Sequence, residues 1–191
     1  MTKACYVGVA GKARKVKKIY TGVANKARKV KKAYVGVGGK ARLFYSADQK
    51  LSYYGTVTGL SQARNFLAAT TVGNYGLFGG GAIGFFGNIF STVDAYNTSL
   101  VRSTPTALSQ ARYFLAATSV GNYGLFGGGT ARDSNLSTVD AYNTSLVRST
   151  PTALSQARFY SAATTVGNYG LFGGGTATGG VVSTVDAYNL V

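Results

Sequence analysis

The 191-residue chain carries 20 Lys and Arg against five Asp, with no Glu, His or Trp, giving a net charge of +15 at pH 7. Without histidine and with so few acids, the usual general bases, transition-metal ligands and paired carboxylates are missing, so no enzymatic, metal or cofactor chemistry is expected. Its 46% hydrophobic content is enough to bury a core, which excludes wholesale disorder despite 27 glycines.

Charge divides the chain near residue 47. Residues 1–47 hold 13 Lys and Arg and no acid, whereas 48–191 hold seven and all five Asp: Asp48, Asp94, Asp133, Asp140 and Asp186. A basic arm on a nearly neutral body points to a polyanionic or acidic partner. The arm repeats every 14 residues, at Tyr6-Val7-Gly8-Val9, Tyr20-Thr21-Gly22-Val23 and Tyr34-Val35-Gly36-Val37, each followed by a turn-like pair and Lys-Ala-Arg. This pattern predicts three hairpins or a small β-meander. Arg14, Lys15, Lys17 and Lys18, then Arg28, Lys29, Lys31 and Lys32, are clusters able to neutralise phosphates, with Tyr20 and Tyr34 near enough to stack on bases. Lysines that keep exposed strands from stray pairing are the structural alternative. Cys5 stands alone, which excludes an intrachain disulfide and a cysteine metal site, and the apolar run 4–10 is too short for a signal peptide.

Beyond residue 50 the chain repeats on a longer period. Val72-Gly73-Asn74-Tyr75-Gly76-Leu77-Phe78-Gly79-Gly80-Gly81 returns at 120–129 and 166–175; Leu60-Ser61-Gln62-Ala63-Arg64 returns at 108–112 and 154–158. Within a copy the apolar run 114–120, the turn Gly121-Asn122, the run 123–128, the alternating segment 138–142 and the stretch 146–150 before Pro151 read as four short strands. Four strands in 46 to 48 residues is the period of a propeller blade; solenoid coils generally have shorter periods. Leu51–Leu60 stands where a fourth strand precedes the later Leu-Ser-Gln-Ala-Arg segments, so each copy is expected to borrow its fourth strand from the N-terminal side. Three blades cannot close a ring alone, so a homo-oligomer is expected: two chains in a six-bladed ring, or an open or trimeric array. The uncharged stretch between Arg64 and Asp94 contains seven glycines, so no membrane insertion is expected.

The order of apolar strand, Gly-Gly, variable loop, Val-x-x-Tyr-Asn, apolar strand, then Pro and Arg resembles the Kelch repeat over roughly residues 51–191. Leu100-Val101-Arg102 and Leu146-Val147-Arg148 stand near the place of the usual tryptophan. The chain is thus expected to be all-β, with three Kelch-like four-stranded blades (half a propeller, or part of an oligomeric ring) at 48–191, behind a basic hairpin-repeat arm at 1–47. The arm segments, with Ala41-Arg42-Leu43-Phe44-Tyr45 and Leu51-Ser52-Tyr53-Tyr54-Gly55, resemble N-terminal regions of prophage and tailed-phage proteins of Gram-positive hosts. That resemblance implies a structural and adhesive virion protein made in the host cytoplasm. Its arm would attach to the particle, and its blade loops would contact a host surface polysaccharide or protein, or another virion protein. The alternative is a nucleic-acid-binding protein that uses the arm.

Recognition is expected where the copies differ, in the loops 82–90, 130–136 and 176–182, at equivalent positions on one rim. Ile83, Phe85, Phe86, Asn88 and Phe90 in the first loop, and Arg132, Asp133 and Asn135 in the second, are the candidate contact residues. Asp94, Asp140 and Asp186, one per copy, read as strand or turn positions; Arg64, Arg112 and Arg158 read as donors to loop carbonyls within each blade.

Overall fold

The computed structural model describes residues 51–84 and 87–191 in full and, of the first fifty, the backbone of six strands. The described residues are all-β, without a helix. They fall into two compact units, 1–55 and 56–191.

The first unit holds three antiparallel hairpins: β1 (Tyr6–Val9) with β2 (Lys12–Lys15), β3 (Tyr20–Val23) with β4 (Lys26–Lys29), and β5 (Lys32–Val37) with β6 (Lys40–Ser46). The 14-residue period is therefore the period of a hairpin. Val9 pairs with Lys12, Val23 with Lys26 and Val37 with Lys40, so the expected turn pairs, which lie outside the described residues, separate the paired strand ends. Each hairpin is its own two-stranded sheet rather than part of a continuous meander.

The second unit is built from three main sheets, one per repeat, and a fourth, small sheet in repeat 3. Repeat 1 forms β7 (Ala68–Val72), β8 (Tyr75–Gly79), β9 (Val93–Tyr96) and β10 (Arg102–Ser103) in consecutive antiparallel order. Repeat 2 forms β11 (Ala116–Val120), β12 (Tyr123–Gly127), β13 (Val139–Asn143) and β14 (Arg148–Ser149) in the same way. Repeat 3 contributes β15 (Arg158–Phe159), β16 (Ala162–Val166), β17 (Tyr169–Gly173), β18 (Thr176–Ala177), β19 (Gly180–Val181) and β20 (Val185–Asn189); its main sheet is the three strands β16, β17 and β20, and the small sheet is β15-β18-β19. The first hairpin of each sheet turns on Gly-Asn, with Gly73, Gly121 and Gly167 at φ +53°, +51° and +56°. Glycine at the first central position with positive φ is what a II′ hairpin requires.

One expectation needs correction. Residues 51–60 form no strand, and the fourth strand of repeats 1 and 2 comes from the residues that follow the third, not from those that precede the repeat. The physical reason is chain economy: Asn97 and Asn143 each accept two backbone N–H bonds through the side-chain oxygen, from Ser99 and Val101 and from Ser145 and Val147. This Asx turn folds the chain straight back onto the strand it has just left.

Consecutive sheets pack face to face. Val72, Leu77, Val93 and Ala95 of repeat 1 meet Leu108, Phe126 and Tyr142 of repeat 2; Val120, Leu125, Val139 and Ala141 then meet Leu154, Phe172 and Tyr188 of repeat 3. Two glycines of the first triplet, and two of the second, serve this packing. A Cβ on Gly79 would stand 2.8 Å from Phe126 Cε1, and one on Gly80 would stand 2.6 Å from the Arg112 carbonyl oxygen.

Each repeat is pinned internally by a buried ion pair. Arg112 Nη2 donates to Asp140 Oδ2 at 2.7 Å with both side chains at 0% exposure, and Arg148 Nη1 reaches Oδ1 at 2.8 Å. The amide and hydroxyl of Ser109 also donate to this carboxylate. Asp94 receives Arg64, Arg102 and Ser61 in the same way, and Asp186 receives Arg158 and the Ser155 amide. These arginines also donate to carbonyls: Arg64 to the loop carbonyl of Gly80, but each of the three also to a strand rather than a loop carbonyl, Arg64 to Phe78 on β8, Arg112 to Phe126 on β12 and Arg158 to Phe172 on β17. Their carboxylate partners lie 28 to 30 residues away in sequence and are set by the fold.

Candidate functional site

The residue pair that follows each Leu-Ser-Gln-Ala-Arg contains a backbone departure shared, among the described non-glycine residues, only with Leu100 and Leu146 at φ +60° and +61°. Phe66, Phe114 and Tyr160 sit at φ +57°, +54° and +57°, in the left-handed region that bulky side chains rarely enter. Their rings meet in a column, each tilted against the next: centroids are 4.4 Å apart at 53° for Phe66 and Phe114, and 4.2 Å apart at 44° for Phe114 and Tyr160. Tyr113 and Phe159 flank it, at 4.5 Å from Phe114 and 4.8 Å from Tyr160. The backbone runs in step with the rings, since the Phe114 amide donates to the Phe66 carbonyl and the Tyr160 amide to the Phe114 carbonyl. Tyr160 is 55% exposed and presents its ring to solvent at one end of the column.

The three variable loops are tied to this column. Ala82 bridges to both Asn65 and Ile89, Thr130 bridges to both Tyr113 and Asn135, and in repeat 3 the same contacts lengthen into the small sheet β15-β18-β19. Each loop is thus a short hairpin hung on the residue next to a column aromatic. The Gly84 amide adds a bond to the Asn65 side-chain oxygen. Loops and column therefore lie at one end of the three sheets, a rim of aromatic rings bordered by sequence that differs between copies.

The candidate contact residues distribute unevenly on this rim. Ile83 is exposed, Asn88 is exposed with its carbonyl accepting the Ile83 amide, and Phe90 is half-buried with its carbonyl accepting the Arg112 amide. Phe85 and Phe86 lie outside the described residues. Arg132 and Asp133 are exposed and form no ion pair among the described residues, while Asn135 is half-buried in its bridge to Thr130. Phe90 and Asn135 thus serve partly as framework. On the arm, Arg14, Lys15, Arg28, Lys29 and Lys32 fall on strands, paired with Val7, Tyr6, Thr21, Tyr20 and Ser46; Lys17, Lys18 and Lys31 lie outside the described residues. Sequence reading passed over the aromatic column. Its signal was the pairs Asn65-Phe66, Tyr113-Phe114 and Phe159-Tyr160 directly after each repeated arginine.

Ionisable groups in the sheets are engaged in structure. Burial pushes the Tyr188 phenol up to about 12, aided by the Asp186 carboxylate; burial and Asp140 push Tyr142 higher still. Burial lowers the Arg112 pKa against the opposing pull of Asp140. Among the described residues no three His, Cys, Asp or Glu side chains converge, and no helix is long and apolar enough to cross a membrane.

No family model and no curated protein matches the chain. Among solved structures its fold is similar to that of YjhT, with a TM-score of 0.60 at 17% identity over 72% of this chain. The chain spans about half the length of that protein, 48%.

Proposed function

We propose that residues 56–191 form a propeller-like, Kelch-type binding module of a phage or prophage particle, non-enzymatic, with the basic hairpin arm as its attachment to other virion proteins. Its rim contacts a polysaccharide of the host surface. The observation that carries this reading is the column Phe66–Phe114–Tyr160, three aromatic residues held in left-handed backbone at equivalent positions and bordered by the loops in which the copies differ. Such backbone costs about 1–2 kcal/mol per residue and persists where it has a use. Aromatic rings offer apolar faces on which the C–H faces of sugar rings stack, while exposed polar groups such as Asn88 and Arg132 supply hydrogen bonds to hydroxyls. Placement on a particle rests on the likeness of the arm and residues 41–55 to phage proteins.

The test is binding of the purified chain to isolated cell walls of Gram-positive bacteria at low and at high salt. Binding that survives high salt and drops at least tenfold with Tyr160→Ala is the expected result. Binding that vanishes with salt, survives Tyr160→Ala and disappears when Arg14, Lys15, Lys17 and Lys18 become Gln would instead make the protein a polyanion binder. Nucleic acid would then be the first ligand to try.

A further inference from the structure

The two junctions between repeats are one junction made twice, and each half of it occurs a third time without a mate. The outer face of repeat 1 carries Leu60, Phe78 and Tyr96, the counterparts of Leu108, Phe126 and Tyr142 and of Leu154, Phe172 and Tyr188. The opposite face of repeat 3 carries Val166, Leu171 and Val185, the counterparts of Val72, Leu77 and Val93. Identical residues change state with position. Phe126 and Phe172 are fully buried, but Phe78 is 36% exposed; Val93 and Val139 are fully buried, but Val185 is 59% exposed. Gly79 and Gly127 lie under phenylalanine rings of the next repeat, whereas the nearest atom to a Cβ on Gly173 belongs to Val185 of its own repeat. An apolar groove of about 590 Å³, lined in part by Leu60, Gly76, Phe78 and Tyr96, opens on the repeat 1 face.

We propose that a second copy of this chain covers both faces: repeat 1 of each copy seats on repeat 3 of the other, head to tail, through the junction that already joins repeats 1 to 2 and 2 to 3. The partner follows from complementarity. Each free face is one half of an interface whose other half stands at the opposite end of the same molecule, so two equal contacts close the pair. Backbone donors agree. Leu108 N donates to Ser91 O and Gly81 N to Arg112 O across the first junction, and the second repeats both bonds; among the described residues Leu60 N and Gly175 N make no such bond. In the pair they donate to Ser183 O and Arg64 O of the second copy.

The same pairing completes the third sheet. Tyr96 Oη donates to the Thr58 carbonyl as Tyr142 Oη does to Thr106, so residues 58 and 106 hold the same place before their repeats. Four residues upstream of Thr106 lies β10, Arg102–Ser103, the last strand of the preceding sheet; four upstream of Thr58 lie Tyr54 and Gly55, with Tyr54 84% exposed. In the pair, Tyr54-Gly55 runs along β20 of the second copy as its missing fourth strand. None of this depends on the adhesive reading.

Cross-linking tests it. A Cβ on Gly124 would lie 3.5 Å from that of Val72, and one on Gly170 would lie 3.6 Å from that of Val120, within the disulfide range of about 3.5–4.5 Å. The counterparts across copies are Gly76 and Val166. Full-length Cys5→Ser chains carrying Gly76→Cys or Val166→Cys are oxidised alone and mixed. A covalent dimer only in the mixture, a doubly substituted chain that stops at the dimer, and a sedimentation mass of twice 19.8 kDa for the unsubstituted protein are the expected results. Phe78→Asp and, on the opposite face, Val185→Asp each return the mass to a single chain with the β-sheet circular dichroism retained. A single-chain mass without substitution, cross-linking of Gly76→Cys with itself, a ladder beyond the dimer, or a dimer indifferent to both aspartates would overturn the proposal.

Discussion

Phe126 lies over Gly79 so closely that its Cε1 is 2.8 Å from where a Cβ on that glycine would stand. Phe172 repeats the arrangement on Gly127 at 2.7 Å, and Gly173 has no ring above it. The same substitution at three equivalent positions therefore has two different outcomes. Gly79→Ala and Gly127→Ala each push against a fully buried, rigid ring and should cost about 1–3 kcal/mol, the usual penalty of overpacking. Gly173→Ala should leave chain stability within about 0.5 kcal/mol. Urea unfolding of the three variants at a dilution that keeps chains separate checks the order.

The buried pair of Arg112 and Asp140 should rank above its half-exposed neighbour. Nε and Nη1 of Arg112 find no acceptor among the described residues, so the Asp140 carboxylate and the Phe126 carbonyl carry its compensation. Asp140→Ala leaves that guanidinium buried and unpaired, a loss of about 3–5 kcal/mol. Arg148→Ala, at a side chain 26% exposed, should cost under about 1 kcal/mol. Equal shifts in thermal midpoint for the two variants would contradict the ranking.

Alkaline pH should loosen the second unit through its buried phenols. Tyr142 and Tyr188 hold their protons in the folded chain above the ordinary tyrosine value near 10, Tyr188 to about 12. Between those values the unfolded chain loses protons that the folded chain keeps. Stability is therefore whole below about pH 10 and falls as pH rises towards 12. Tyr188→Phe should flatten the fall in the urea midpoint over that interval, and Tyr142→Phe should flatten it further.

Under the polyanion-binding alternative, replacing Arg14, Lys15, Lys17 and Lys18 with Gln should weaken binding to duplex DNA and flatten its salt dependence. The log–log slope changes by about 0.9 for each phosphate no longer neutralised. Anisotropy titrations between about 50 and 200 mM salt measure this, and an unchanged slope would place the phosphate-binding cations elsewhere.

Most of the scaffold was legible in the sequence, because it depends on short-range rules. The period gave the repeats, Gly73-Asn74 and its counterparts gave the hairpins, and the Gly-Val and Lys-Ala-Arg runs gave the paired strands of the arm. Asp94, Asp140 and Asp186 fell on strands as read. Two things failed where a longer range decided. Leu51–Leu60 looks like a strand by composition, but a strand needs a partner, and Asn97 and Asn143 bend each repeat's own fourth segment into that place first. The aromatic column escaped notice because its rings come from residues 46 to 48 apart, brought together by stacking of the sheets, and because left-handed backbone at Phe and Tyr has no signature in composition. Of the candidate rim, the loops were visible as differences between copies, while of the aromatics beside them Phe114 was read only as the start of an apolar strand.

The identity of the two internal junctions also bears on inheritance. Residues 91–112 and 137–158 are the same 22-residue block, 46 positions apart. Unequal crossing-over within that block would excise or insert one whole repeat in frame. Because every junction sets the same phenylalanine on the same glycine, the product would still find a fitting surface on each side of the seam. Such a gene can change the length of its array in one step without first inventing a new interface.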